Sequence, residues 1–261
     1  MQADESFISR ELRNQWFESV IVNHKYKFIF LKTSKTGGFS IEAFLRQFCE
    51  PGDIVTSLSD AEERELQSMG LCGPMGHTEI RGKVPLAERE KIRLGDKKAT
   101  VRYCVVSHSP ASRVMEYVGK SVWNSYFKFC IVRHPVDRTI SQYFWMAYRR
   151  GWQDAETDFT KRFDHFLESK MFQPKLTRKG TGIYMCDGKV VVDYIGKFEN
   201  LAESLEHTMR QAGVDVKSVE LPRLKLVSRP KGNFAEMLLP RQKKIIEKAF
   251  EFEFSNFDYK L

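Results

Sequence analysis

Lys32-Thr33-Ser34-Lys35-Thr36-Gly37-Gly38-Phe39-Ser40 stands between two contrasting patterns. Before it, Tyr26-Lys27-Phe28-Ile29-Phe30-Leu31 is aromatic and β-branched, the pattern of a buried strand. After it, Ile41, Phe44, Leu45 and Phe48 recur at the spacing of one helix face. The order strand, glycine loop, helix aims several backbone N–H groups and a positive helix end at one point, which suits an anion such as phosphate. Gly37 and Gly38 let the backbone approach such a group closely. Lys35 adds a mobile cation, and Thr36 and Ser40 add hydroxyl donors. The alternative is an ordinary strand-to-helix turn with glycines for the bend. A Walker A loop is disfavoured: that motif places its lysine after the glycines, whereas Lys35 precedes them.

About a hundred residues further on, the pattern repeats. Tyr126-Phe127-Lys128-Phe129-Cys130-Ile131-Val132 reads as a core strand, and Arg133-His134-Pro135-Val136-Asp137-Arg138-Thr139-Ile140-Ser141 follows. Pro135 suits the first turn of a helix, which Ile140, Phe144, Ala147 and Tyr148 continue. Arg133 and Ser141 could face one phosphate if that helix folds back beside the strand. The alternative pairs Arg133 with Asp137 and leaves Ser141 on a solvated face.

In combination, the two segments resemble the sulfotransferases that use 3′-phosphoadenosine-5′-phosphosulfate (PAPS). Lys35-Thr36-Gly37-Gly38-Phe39-Ser40 is similar to their loop for the 5′-phosphosulfate. Arg133, Pro135, Arg138 and Ser141 match their segment for the 3′-phosphate. The branch that holds carbohydrate 2-O-sulfotransferases and soluble bacterial relatives looks most similar. His108-Ser109-Pro110-Ala111, Gly196-Lys197-Phe198-Glu199-Asn200-Leu201 and Phe257-Asp258-Tyr259 also resemble segments of that branch. The resemblance runs from about Tyr26 to the C-terminus. It implies an α/β fold with a mostly parallel central sheet flanked by helices, a P-loop-like sulfotransferase fold. It also implies PAPS as cosubstrate, no metal, and a carbohydrate or small-molecule acceptor.

Two departures stand out: His134 replaces the common Asp or Asn, and Lys197 replaces the usual Arg. The stretch 50–100 matches nothing in the family and is expected to hold variable, acceptor-binding elements. In-line displacement at sulfur builds negative charge on the bridging oxygen and 5′-phosphate, where Lys35 is the expected catalytic cation. The resemblance makes His108 the expected base. It follows the strand-like run Val101–Ser107, and a neutral imidazole titrates in the range needed to take a hydroxyl proton. His77 is its rival. Ser228-Arg229-Pro230-Lys231-Gly232 offers a late basic clamp, through Arg229, Lys231 and Gly232, for the 3′-phosphate. An ordinary solvated basic loop is the plainer reading of it.

With 261 residues and no linker or repeat, a single domain spanning 1–261 is expected, with a helical arm over 1–25. No signal-peptide pattern or membrane span is expected. Five widely spaced cysteines without a Cys-x-x-Cys suggest neither zinc nor a redox motif, and fit a reducing cytoplasm. The net charge of +8 suits an anionic cosubstrate or acceptor. Basic clusters also occur in nucleic-acid binders, yet no helix-turn-helix, zinc-finger or RNA-recognition pattern is present, so nucleic acid is not an expected partner. A different class stays open: a non-catalytic nucleotide- or polyanion-binding protein on the same fold.

Overall fold

The computed structural model describes residues 20–79, 84–96, 98–100, 104–105, 109–152, 157–169, 172, 179–216, 218–222 and 230–261. Its strands are β1 (Val20–Asn23), β2 (Phe28–Leu31), β3 (Ile54–Val55), β4 (Phe127–Val132), β5 (Met185–Cys186), β6 (Lys189–Val190) and β7 (Tyr194–Lys197). Its longer helices are α1 (Gly38–Leu45), α2 (Asp60–Ser68), α3 (Leu86–Arg93), α4 (Ala111–Val118), α5 (Lys120–Ser125), α6 (Pro135–Arg149), α7 (Phe159–Glu168), α8 (Leu201–Gln211), α9 (Pro240–Ala249) and α10 (Glu251–Asn256).

Five strands form the central sheet in the order β3-β1-β2-β4-β7. β1 pairs antiparallel with both β2 and β3, while β2, β4 and β7 are mutually parallel. Four strands therefore point one way and only β1 reverses. β2 is buried along its whole length and β4 at every position but its first, so neither shows polar alternation. Alternate residues nevertheless divide between the two faces. Phe28, Phe30, Phe129 and Ile131 pack with residues of α1 and α8. Ile29, Leu31, Cys130 and Val132 pack with Val114 and Tyr117 of α4 and Trp123 of α5. A third cluster is built on α6, where Tyr143 and Phe144 meet Phe159, Phe163 and Phe166 of α7, and Phe250 after α9.

The expected α/β architecture is thus present, with two local corrections. The helical arm over 1–25 does not extend across Val20–Asn23, which is a strand; residues 1–19 lie outside the described residues. Val20, Ile21 and Val22 favour extended backbone and pair in register with Leu31, Phe30 and Ile29. The strand-like run before His108 is also corrected where it is described. Residues 98–100 are helical, Cys104 N donates to Thr100 O at 2.9 Å, and neither Cys104 nor Val105 lies in a strand. In the 50–100 stretch, Ile54–Val55 forms the edge strand β3 and α2 carries a Ser59–Glu62 capping box.

The parallel neighbours β2 and β4 determine where ligands are expected. Their C-terminal ends leave the sheet side by side, and open α/β sheets bind ligands at such ends. This adjacency brings the Lys35 and Arg133 segments together.

Candidate functional site

The loop after β2 rests on buried polar contacts. The Thr33 hydroxyl donates to the Ile131 carbonyl of β4, clamping the loop to the neighbouring strand. The Thr36 hydroxyl is fully buried and donates to Thr33 O at 3.0 Å, so it holds the loop's own turn. Lys32 turns inward beneath α1 and reaches Glu42 at 2.5 Å. Glu42 also accepts from Arg46 at 3.1 Å, and Arg46 makes a two-pronged pair with Glu63 at 2.7 and 2.9 Å. Burial alone would lower the Arg46 pKa, but the Glu63 hydrogen bond and the Glu42 charge outweigh it and raise it. A buried chain of alternating charges therefore underlies the glycine loop.

Both glycines have a geometric reason. Gly37 sits at φ 72°, in the left-handed region, at the N-cap of α1. A Cβ there would also come within 2.9 Å of the Phe198 ring. A Cβ on Gly38 would run into the Lys32 stem. Among the described residues no side chain caps α1, and its first turn holds no acidic residue. First-turn N–H groups have no acceptor within their own helix, so this end suits an anion. Lys35 and Ser40, both half-buried, flank it, while the Phe39 side chain is buried in a small apolar cluster. Lys35 is itself left-handed, at φ 62°, a conformation that costs a non-glycine residue about 1–3 kcal/mol.

Arg133, at the end of β4, reaches across to this loop. Its Nη1 donates to Lys35 O at 3.0 Å, its Nε donates to Asp137 at 2.6 Å, and its Nη2 also pairs with Asp137. The guanidinium carbon lies 4.3 Å from the centre of the Phe198 ring. Phe198 therefore lies against both halves of the site, Gly37 and Arg133. The pairing of Arg133 with Asp137, the plainer of the two sequence alternatives, is realised, together with the bond to Lys35. Ser141 is half-buried on α6, two turns beyond Arg133.

His134 fills the place of the usual Asp or Asn. Its Nδ1 accepts from Val136 N at 3.3 Å, capping α6, and its Nε2 meets Lys260 O at 2.8 Å. These two bonds are compatible when Nε2 carries the proton. Glu199 accepts from His134 N at 2.6 Å and from the Tyr259 hydroxyl at 3.2 Å. Burial and the Glu199 charge push the Tyr259 pKa up, which keeps that hydroxyl a donor. Arg138 is buried and pairs with Glu253 at 2.9 Å, tying α6 to α10.

A family model described as the sulfotransferase family matches residues 18–260. The chain belongs to the sulfotransferase family. It is also similar to an uncharacterized protein of Archaeoglobus fulgidus, 30% identical over 105 residues that make up 40% of this chain and 82% of that protein. No solved structure matches it.

The remaining expected residues of this sulfotransferase are less drawn together. His108 and Arg229 lie outside the described residues. Lys231 and Gly232 are exposed, in a turn whose Phe234 packs on Phe144 of α6 at 4.6 Å between ring centres. His77 follows Met75, which bridges antiparallel to Val55 at the sheet edge. At Gly76 the chain lies against Asp53 and Ile54, so it runs towards the N-terminal end of β3, opposite the strand ends that carry Lys35 and Arg133. Burial lowers the His77 pKa. Among the described residues, no group of His, Cys, Asp and Glu is placed to hold a metal, and no helix is long and apolar enough to cross a membrane.

Three residues of the site carry no expected role in the sequence. Phe198 is an aromatic residue directly after a strand. Glu199 follows it and joins His134 to Tyr259. Trp145 lies one helical turn beyond Ser141 and 5.4 Å from the Lys35 ammonium. The signals that sequence supplies are the helical spacing from Ser141 to Trp145 and the family-like segment Gly196–Leu201, which holds Phe198 and Glu199 without giving either a role.

Proposed function

We propose that this sulfotransferase takes its sulfuryl group from PAPS and passes it to a hydroxyl of a carbohydrate or small-metabolite acceptor. The observation that carries the reading is the bond between Arg133 and Lys35 O, which couples a guanidinium to a glycine loop at the uncapped start of α1. The arrangement fits a nucleotide with phosphates at both ends. Gly37, Gly38, Phe39 and Ser40 form the helix start for the 5′ end, where Thr36 serves by shaping the turn. Arg133 and Ser141 take the 3′-phosphate, with Arg229, Lys231 and Gly232 as a later contact.

PAPS supplies a sulfuryl group on a good leaving group. The acceptor oxygen forms a bond to sulfur as the bond from sulfur to the 5′-phosphate oxygen breaks. The electron pair goes to that oxygen, and the hydroxyl proton goes to the base. Lys35 holds the charge that grows on the leaving oxygen. His108 is the proposed base. The products are a sulfate ester and 3′,5′-adenosine bisphosphate. Protein dipoles and cations do the work in this scheme, in a single domain with free thiols suited to the cytoplasm.

Thermal unfolding with added ligands tests the nucleotide assignment. PAPS and the bisphosphate should raise Tm by mass action, and ATP, which lacks the 3′-phosphate, far less. Equal shifts with ATP and the bisphosphate would overturn it. A screen of acceptors with labelled PAPS then tests transfer. Binding without transfer to any hydroxyl acceptor would favour the non-catalytic alternative.

A further inference from the structure

Lys35 is held at two points. Its left-handed backbone is anchored where its carbonyl accepts from Arg133. Its ammonium lies 5.4 Å from the centre of the Trp145 ring, within cation–π reach. Trp145 is half-buried and packs against the aromatic cluster of α6 and α7, so the ring itself has little freedom. It shares a helix face with Ser141, one turn away. The Arg149 guanidinium, one turn beyond, lies 6.0 Å from the same ring.

We propose that Trp145 is a positioning residue for Lys35, seating the ammonium beside the start of α1 before the sulfuryl donor arrives. The inference rests on the assignment of Lys35 to the donor's 5′ end. A lysine stem has many rotamers, and fixing it during the reaction would cost conformational entropy. A seat formed on folding removes that cost from the chemical step. An aromatic face suits this task better than a carboxylate would. It attracts the cation through the ring quadrupole and adds no full negative charge of its own.

Two measurements test the proposal. In the ligand-free protein, the indole ring current should move the Lys35 ε-methylene protons upfield in NMR spectra. Trp145→Leu should abolish that shift, and Trp145→Phe should keep part of it. Calorimetric titration with PAPS should then show about three- to tenfold weaker binding in Trp145→Leu, with most of the loss recovered in Trp145→Phe. On a Lys35→Ala background, Trp145→Leu should add nothing, because the two residues act as one unit. Additive losses, or equal losses in the Phe and Leu variants, would overturn the role of Trp145 and leave the nucleotide reading standing. A parent protein that binds neither PAPS nor the bisphosphate, with the upfield shift intact, would instead overturn the nucleotide reading and this role with it.

Discussion

The Arg133 guanidinium donates to the Lys35 carbonyl oxygen across 3.0 Å, joining residues 98 positions apart. The bond spans the gap between the exits of β2 and β4, and the Phe198 ring lies below it. A ligand that pulls on Arg133 therefore also pulls on the backbone that aims Lys35.

Arg133→Ala should weaken binding of 3′,5′-adenosine bisphosphate by about 1.5–3 kcal/mol, the usual worth of a charged donor to phosphate. Arg133→Lys should recover little. An ammonium keeps the charge, but it cannot present the fork that bridges Asp137 and Lys35 O. Calorimetry at one fixed salt concentration measures both. Unchanged affinity in the alanine variant would remove Arg133 from the site.

Gly38→Ala should destabilise the fold by about 1–3 kcal/mol, the range for overpacking a filled interior. The added methyl meets the Lys32 stem, and Lys32 is pinned by Glu42 in a buried position. Denaturant titration reads the change. Full stability in this variant would show that Lys32 can leave its place freely.

Glu42→Ala should cost more, about 3–5 kcal/mol, because it strands the buried Lys32 ammonium and leaves Arg46 with Glu63 alone. Lys32 and Arg46 each lose a carboxylate, and neither can reach bulk water without rearranging α1. Urea unfolding monitored by circular dichroism gives the value. A loss below about 1 kcal/mol would mean that water already reaches this chain of charges.

Cys72 should be the most reactive thiol near neutral pH. A hydrogen bond from Cys49 and the Arg46 charge outweigh burial and bring the Cys72 pKa down to about 7. Burial pushes Cys104 and Cys130 up. The thiolate fraction of Cys72 should fall as pH drops below 7, so alkylation by iodoacetamide should slow in acid and level off above about pH 8. Cys49→Ala removes the hydrogen bond and should shift this profile to higher pH. Peptide mapping by mass spectrometry identifies the site; preferential labelling of Cys104 would contradict the assignment.

The sequence makes the two strand-loop-helix units legible for a physical reason. β2 and β4 are almost wholly buried, so they read as apolar runs, interrupted only at Lys128 of β4, and Gly37 and Pro135 mark the following turns. Contacts between the units are not legible, because they depend on β2 and β4 being neighbours. The Trp145 seat is of this kind, the Phe198 floor depends likewise on β7 lying beside β4, and the inward turn of the Thr36 hydroxyl is set by the loop's own fold around Thr33 O. Val20–Val22 and Val101–Ser107 illustrate a second limit. Both are short apolar runs, and periodicity alone does not separate strand from buried helix or coil. The first became a strand because β2 and β3 were there to pair with it, while Cys104 took a helical bond to Thr100.

The run from Val132 to Trp145 is a single strand exit followed by unbroken helix. One inserted or deleted residue between Pro135 and Ser141 would turn Ser141 and Trp145 by about 100° and slide them about 1.5 Å relative to Arg133. The segment can exchange side chains, but its length is fixed. The exposed turn at Asp187–Gly188, between β5 and β6, is free of that constraint and can take up extra residues without moving the site.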